Sequence, residues 1–352
     1  MRLERIVPGT RPPDELAGAV LTRDLSVAGA RWAKGRRLSA ADLEAVAGVP
    51  AGRPITVLVM DPGEVHEDEA GRRLAAAVTA GDPAAAGLEA RGPAESRINL
   101  HAAAAGVVEL RVAVVERLNR VDPLEVFTVF DGQVVEAGDL VASVKVGPHV
   151  VAGAIVETGE RLAARASGPV VRVRPFRPVR IAVLVKEHVT GAARERFEAS
   201  VRAKVAGLGA TLTGIGYVRD ETDAVVEALG VATRGRGAAQ IVLTAGGAST
   251  DPADPFYLAV DRLGGRIVRH GVPAHPGSML WLGRIGRSAI VGLPSCGAFS
   301  KATAADLLLP RLVAGQPATA ATVAKLGHGG ILTRSQRFRF PAYARDLDAP
   351  DG

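Results

Sequence analysis

The sequence predicts an α/β protein, with a doubly wound, mostly parallel sheet in its second half and a β-rich region before it. Three observations carry this. From Ile181 onward, short Val/Ile/Leu runs alternate regularly with helical stretches, which calls for repeated βα units. Hydrophobic residues make up 47% of the chain but aromatics only 4%, so the core must be built from small aliphatic side chains, as in buried parallel strands under Ala-rich helices. Between Ile98 and Val173 the apolar runs are short, Val-rich and broken by Gly, Pro and Asp, the punctuation of strands. At 352 residues the chain is long enough for more than one domain.

Residues 1–95 read as a mixed α/β region. Ala17 to Leu25 alternates loosely like a strand, and Ser39 can cap a helix over Ala40 to Ala47, with Asp42 in its first turn. Ile55 to Met60 is a buried-strand candidate. A helix from Glu67 to Ala80 follows and ends at Gly81-Asp82-Pro83. Residues 96–178 read as a β-rich module with strands over Gly106 to Val115, Val126 to Phe130, Gln133 to Val135, Leu140 to Val146 and Val170 to Val173, and with Asp131-Gly132 as a hairpin turn. The polar run Glu95-Ser96-Arg97-Ile98-Asn99 is a candidate for function, with no mechanism to assign to it. Arg174-Pro175-Phe176-Arg177-Pro178 is a stiff, basic connector and marks the main boundary.

Residues 179–315 carry the α/β pattern. Strands are expected at Ile181 to Val185, Thr211 to Val218, Ile241 to Thr244, Arg266 to Arg269 and Ala289 to Val291. Helices are expected over Ala192 to Ala206, from Asp220 to Thr233, over Pro255 to Leu263 and from Phe299 to Leu312. The tail 316–352 alternates Arg337, Phe338, Arg339 and Phe340, a pattern for a last strand or a docking segment.

Composition excludes several function classes. The net charge of +6 comes mostly from Arg scattered among acids, with no basic block interleaved by aromatics. The chain therefore has no nucleic-acid partner in prospect and a mild attraction for small anions such as phosphate. The single Cys296 excludes an intramolecular disulfide and a Cys-based zinc site, and fits a reducing compartment. No apolar run has signal-peptide or bilayer length, so the expected setting is the cytoplasm, without membrane attachment.

In a doubly wound sheet the ligand site lies at the carboxyl ends of the strands, and three loops fall there. Thr244-Ala245-Gly246-Gly247-Ala248-Ser249 runs on to Asp251 and Asp254 before a helix. Its paired glycines let the backbone approach a ligand, Ser249 and the helix amides suit anionic oxygens, and Asp251 with Asp254 suit Mg²⁺; the plainer reading is a tight turn with Asp254 as an N-cap. Pro273-Ala274-His275-Pro276-Gly277-Ser278 is a rigid loop with one polar ring, and alone it is ordinary punctuation. Gly292-Leu293-Pro294-Ser295-Cys296-Gly297 places small residues and free amides ahead of a helix. Asp220 follows another strand end and is either a site acid or a cap for the next helix. Ser300 and Lys301 lie close enough to reach a phosphate, Cys296 is more simply a small residue, and His188, His270 and His328 have no metal-ligand spacing.

In order and spacing, Gly246-Gly247-Ala248-Ser249 with Asp254, Pro273-Ala274-His275-Pro276-Gly277 and Gly292-Leu293-Pro294 resemble the molybdopterin-binding domain of molybdenum-cofactor biosynthesis proteins, its molybdotransferase branch in particular. The resemblance covers Arg180 to Gly315. It implies that Thr244, Gly246, Gly247, Ser249, the Pro273–Ser278 loop and Gly292 to Ser295 bind molybdopterin, free or adenylylated. It also implies that Asp220, Asp251 and Asp254 are catalytic, Asp251 and Asp254 through Mg²⁺, with molybdate as substrate. A homodimer and a molybdoenzyme client follow from the same resemblance. The chain departs from the pattern at Thr250 and Asp251, where a Gly is common, at Ser295-Cys296-Gly297, where Gly-Asn-Pro is common, and at Pro255-Phe256, where a Lys begins the helix. These changes preserve a binding site more clearly than they preserve catalysis. The rival to a transferase is thus a noncatalytic carrier of the cofactor. A dinucleotide-dependent dehydrogenase would need Gly-x-Gly-x-x-Gly after Ile181 to Val185, where Lys186-Glu187-His188-Val189-Thr190-Gly191 stands instead.

Overall fold

A computed structural model describes residues 1–94, 96–186, 190–247, 250–293 and 302–345. The chain folds into two compact units. The first comprises Met1–Ala104, Glu109–Asp131 and Ala137–Val173, and the second Ala105–Val108, Gly132–Glu136 and the chain from Arg174 onward.

In the first unit, Ile55–Val59 is the centre of a three-stranded antiparallel sheet, flanked by Arg2–Ile6 and Val20–Leu21. The helix Ala40–Ala47 begins at Ser39 with a reciprocal cap: the Ser39 hydroxyl accepts from the Asp42 amide, and Asp42 accepts from the Ser39 amide at 2.8 Å. A second antiparallel sheet runs in the order Leu124–Thr128, Leu140–Val146, Arg97–Ala102, Leu88–Ala94. The helix Glu67–Val78 buries Ala70, Leu74, Ala75 and Val78 at i, i+4 spacing. The break expected at residue 95 falls between two strands that pair with each other.

Two helices stand where strands or nothing was expected. Gly106–Leu110 is a strand, but Val112–Asn119 turns helical because Val114 and Leu118, four apart, are its buried residues; a Val run of this kind is compatible with either period. Gly153–Ala164 is the second. Asp131-Gly132 does not close the hairpin expected of it: Leu124–Thr128 pairs with Leu140–Val146, whereas Val134–Val135 pairs with Gly106 and Val107.

The second unit is the expected doubly wound α/β domain. Its strands are β1 (Arg180–Val185), β2 (Thr211–Tyr217), β3 (Ile241–Ala245), β4 (Arg266–Arg269), β5 (Trp281–Ile285) and β6 (Ser288–Gly292). They form one six-stranded sheet in the order β2-β1-β3-β6-β5-β4, parallel from β2 to β6, with β5 antiparallel to both its neighbours. Its helices are α1 (Gly191–Ala206), α2 (Thr222–Thr233), α3 (Pro255–Arg262) and α4 (Ala304–Val313). Alternate residues of each strand enter opposite cores. Ile181, Val183, Ile241, Leu243 and Val291 pack with Phe197 and Val201 of α1 and Leu308 of α4; Ala182, Leu184, Val242 and Ile290 pack with Leu229 of α2 and Phe256 and Val260 of α3. The strand β5 is absent from the sequence reading because it lies between two Gly/Pro-rich turns and pairs with β6 through a tight connection.

The tail is not a strand. It forms a short helix at Ala320–Ala324, a 3₁₀ turn at Arg334–Arg339 and a last turn at Ala342–Arg345, and Val323, Leu332, Phe340 and Ala344 complete the core under α1 and α4. Among the described residues no helix is long and apolar enough to cross a membrane.

Candidate functional site

The chain leaves β1 for β2 on one side and then returns to β3 on the other side of β1, so the segments after β1 and β3 diverge at a topological switch point. Three strand ends meet there through one residue. Lys186, directly after β1, donates from Nζ to Asp220 Oδ1 after β2 at 2.7 Å and to Asp254 Oδ2 after β3 at 2.8 Å. Its backbone amide donates to Ala245 O at 3.0 Å, which locks the ends of β1 and β3 together. The Lys186 side chain is 5% exposed and that of Asp254 2%, whereas Asp220 is 64% exposed. Burial by itself pulls the Lys186 ammonium down, but the hydrogen bonds and charges of the two carboxylates outweigh it and hold the group above its ordinary value.

Asp254 also caps α3, its Oδ1 accepting from the Phe256 amide at 2.9 Å with Pro255 in the first turn. Asp220 does not cap α2: the cap position is Glu221, which makes no side-chain cap bond. Asp251 is exposed and turned to its own loop, with Oδ1 accepting from the Ala253 amide at 2.9 Å. Asp220 and Asp254 are thus joined, and Asp251 stands apart.

One register row crosses the sheet just before these ends: Leu184 of β1, Thr244 of β3, Gly292 of β6 and Trp281 of β5. Gly292 has no side chain because Trp281 needs the space; a Cβ there would overlap the indole. A Cβ at Gly247 would lie 3.4 Å from Phe256, 3.6 Å from Trp281 Nε1 and 3.8 Å from Asp254 Oδ2, so the glycine loop, the indole and the acid line one small space. Gly246 has φ +85°, a conformation that favours glycine. Beside this space the Thr244 hydroxyl is buried, and among the described residues it has no hydrogen-bond partner. Tyr257 stands edge-on to Trp281 at 5.0 Å; its burial, with the charge of Asp254, pushes the phenol up to about 12.

The Pro273–Ser278 loop is anchored elsewhere. The His275 amide donates to Gly330 O at 2.7 Å and Pro276 O accepts from the Ala304 amide at 2.9 Å, tying the loop to the tail and the start of α4. Gly277, at φ +104°, is pressed against Ala304. The imidazole of His275 is exposed, Pro273 is exposed and Ser278 half-buried. Leu293 is buried and continues the pairing, its amide donating to Thr244 O at 2.7 Å. Ser249, Pro294, Ser295, Cys296, Ser300, Lys301 and His188 lie outside the described residues.

The arrangement has features that suit a phosphorylated ring compound: a buried hydroxyl without a partner among the described residues, an indole N–H and a glycine-lined space at the switch point. The expected Mg²⁺ ligands do not suit a metal. Both Asp254 oxygens are engaged, one by the Lys186 ammonium and one by an amide; Asp251 accepts from its own loop; and among the described residues no three His, Cys, Asp or Glu side chains come together.

Lys186 and Trp281 are residues of the candidate site that sequence reasoning missed. For Lys186 the signal was present: a charged side chain directly after a wholly apolar strand, where it must find a partner or stay hydrated. Trp281 left only its rarity as a clue, being one of two tryptophans.

Residues 154–314 match the family model of the probable molybdopterin binding domain. The match begins before β1, in the helix Gly153–Ala164, and ends just after α4. Among solved structures, the chain is similar to the molybdopterin biosynthesis MoeA protein from Pyrococcus horikosii at 14% identity, covering 65% of this chain and 69% of that one, with a TM-score of 0.30. It is similar to the molybdopterin biosynthesis enzyme MoaB from Thermus theromophilus at 21% identity, covering 40% and 99%, with a TM-score of 0.29. A molybdenum cofactor biosynthesis protein B matches at 17% identity over 43% and 93%, with a TM-score of 0.28. No curated protein matches. Residues 154–314 thus carry a domain of the probable molybdopterin-binding family.

Proposed function

We propose that the α/β domain binds molybdopterin at the switch point and that the protein serves the biosynthesis or maturation of the molybdenum cofactor. The observation that carries this reading is the buried Thr244 hydroxyl, without a partner among the described residues, near Gly247 and Trp281 inside the matched segment. A buried polar group without a partner costs stability and is best explained by a ligand that completes it. Gly246 and Gly247 bring the backbone close to the ligand, Thr244 and Trp281 offer hydrogen bonds to it, and Ser249, Pro294 and Ser295 belong to the same two loops. Through the tail and α4, the Pro273–Ser278 loop supports the domain on which these groups sit.

Within this reading the carrier role is favoured over molybdate insertion. Lys186 already holds the position between Asp220 and Asp254 that a cation would take, its one ammonium donating to both carboxylates. In a carrier these groups organise the loop ends without turnover. A client molybdoenzyme and a homodimer belong to the same proposal.

Equilibrium binding of molybdopterin and of adenylylated molybdopterin tests it, with wild-type protein compared with Gly247→Val and Thr244→Val. Binding weakened by both substitutions supports the site, and binding to neither ligand removes it. Release of loaded cofactor on incubation with molybdate and Mg²⁺ then separates the two roles: conversion to the metal-containing product identifies a transferase, and unchanged pterin a carrier.

A further inference from the structure

We propose that the first unit carries a ligand site of its own, for a phosphate-bearing small molecule with free hydroxyls, in which Lys34 and Lys145 bind the phosphate and His149 a hydroxyl. The site is a polar cavity of about 700 Å³ whose lining includes Lys34, Lys145, Arg23, Glu67, Ser96 and His149. That is within the size range of small-molecule pockets.

The charges are arranged for an anion. Four cationic side chains, Arg23, Arg31, Lys34 and Lys145, face two acids, Asp24 and Glu67. Arg31 is committed to Asp24, which also accepts from the Lys34 backbone amide, and Arg23 donates to Pro54 O at 2.9 Å. The ammonium groups of Lys34 and Lys145 make no hydrogen bond or ion pair among the described residues, and Lys34 shares the charge of Asp24 with Arg31. Lys145 is half-buried on Leu140–Val146, and Glu125, opposite it in the strand register, makes no ion pair with it among the described residues. A half-buried cation without a counter-ion is stabilised by an anion that enters the cavity.

The floor is built rather than incidental. Glu67, the first residue of the helix Glu67–Val78, is buried, its amide donates to His149 O at 3.0 Å, and its Oε1 lies 2.7 Å from His149 Nδ1. Gly35, at φ +82°, passes so close that a Cβ would overlap Glu67 Oε1, so only glycine permits this packing. With Nδ1 taken by the Glu67 carboxylate, Nε2 is the ring nitrogen left for a ligand. Nε2 has no partner among the described residues, which suits a ligand hydroxyl. The neighbouring His66 differs: its Nε2 bonds Gly35 O and its Nδ1 accepts from the Asp68 amide, so both nitrogens are spent on structure. Ser96 adds backbone strain at the same wall, buried at φ +64°, a conformation that gathers at ligand sites. The polar run around Ser96, a functional candidate without a mechanism in the sequence, lies at this wall.

The test is isothermal titration of the full chain with ribose 5-phosphate and with inorganic phosphate. Ribose 5-phosphate is expected to bind at one per chain and more tightly than phosphate. Lys34→Met and Lys145→Met each weaken both ligands about tenfold or more. Arg120→Met, which removes an exposed charge elsewhere on the unit, and Gly247→Val leave both affinities unchanged. His149→Asn, which keeps a donor for Glu67, brings ribose 5-phosphate down towards phosphate. The proposal is overturned by the absence of saturable binding, by lysine variants that bind like the wild type, by an equal loss in Arg120→Met, or by loss in Gly247→Val, which would move the ligand to the other unit. An unchanged His149→Asn overturns the hydroxyl assignment.

Discussion

Lys186 and Asp254 form a buried ion pair, Nζ to Oδ2 at 2.8 Å, between the ends of two parallel strands whose residues are 68 apart in the chain. Neither charge is hydrated to any extent, so each depends on the other and on the hydrogen bonds around them. The pair fastens the two loops that diverge at the switch point.

Removing one partner should therefore cost far more than removing both. Lys186→Met leaves a buried carboxylate unpaired and is expected to destabilise the protein by roughly 3 kcal/mol. Lys186→Met combined with Asp254→Asn should recover most of that loss. Urea denaturation of the two single variants and the double variant measures the coupling, and strictly additive losses would contradict the pair.

Thr244→Val should separate stability from binding. It removes a buried hydroxyl that has no partner among the described residues, so the ligand-free protein is expected to keep its stability or gain up to about 1 kcal/mol. Binding of the pterin should weaken. A destabilised variant would mean that the hydroxyl is satisfied within the protein.

Gly292→Ala should expel the Trp281 indole from the sheet surface. Overpacking of this kind costs roughly 2 kcal/mol. The measurement is tryptophan emission, expected to shift to longer wavelength, together with a lower melting temperature. Trp32 contributes an unchanged background, because it lies in the core of the first unit.

The chain has three tyrosines, and all three are held above the ordinary phenol value: Tyr217 by burial and Glu198, Tyr257 by burial and Asp254 to about 12, and Tyr343 by burial and Asp306. Folding thus favours the protonated phenols. Their contribution to stability is complete below the unfolded value near 10 and is lost as pH rises from there through the folded values. A spectrophotometric titration should show little phenolate at pH 10 in native protein, and the native state should weaken steeply between about pH 10 and 12. Three phenols ionising at 10 without unfolding would refute it.

Much of the α/β domain is legible in the chain because its signals are local. Apolar runs bounded by Gly and Pro place β1, β2, β3 and β6, and Asp254 ahead of Pro255 places the start of α3. Val112–Asn119 reads wrongly as strand because a short β-branched run has no distinctive period, and β5 escapes notice because a strand between two turns looks like a loop. Arg337 to Phe340 alternates like a strand, yet the backbone of Arg334–Arg339 forms a 3₁₀ turn and Phe340 is buried in the hydrophobic core under α1 and α4.

The sequence alone determined the alternation of strands and helices, the glycine-bearing loop after β3 and hence the end of the sheet that carries the candidate site, because these depend on neighbours within a few residues. Tertiary structure decided which side chains meet there. That Asp220 and Asp254 share Lys186 while Asp251 does not, and that Trp281 lies across Gly292 towards the glycine loop, follows from the strand order β2-β1-β3-β6-β5, which pairs residues distant in the chain. A buried charge or hydroxyl acquires its partner from that geometry, and no local pattern encodes it.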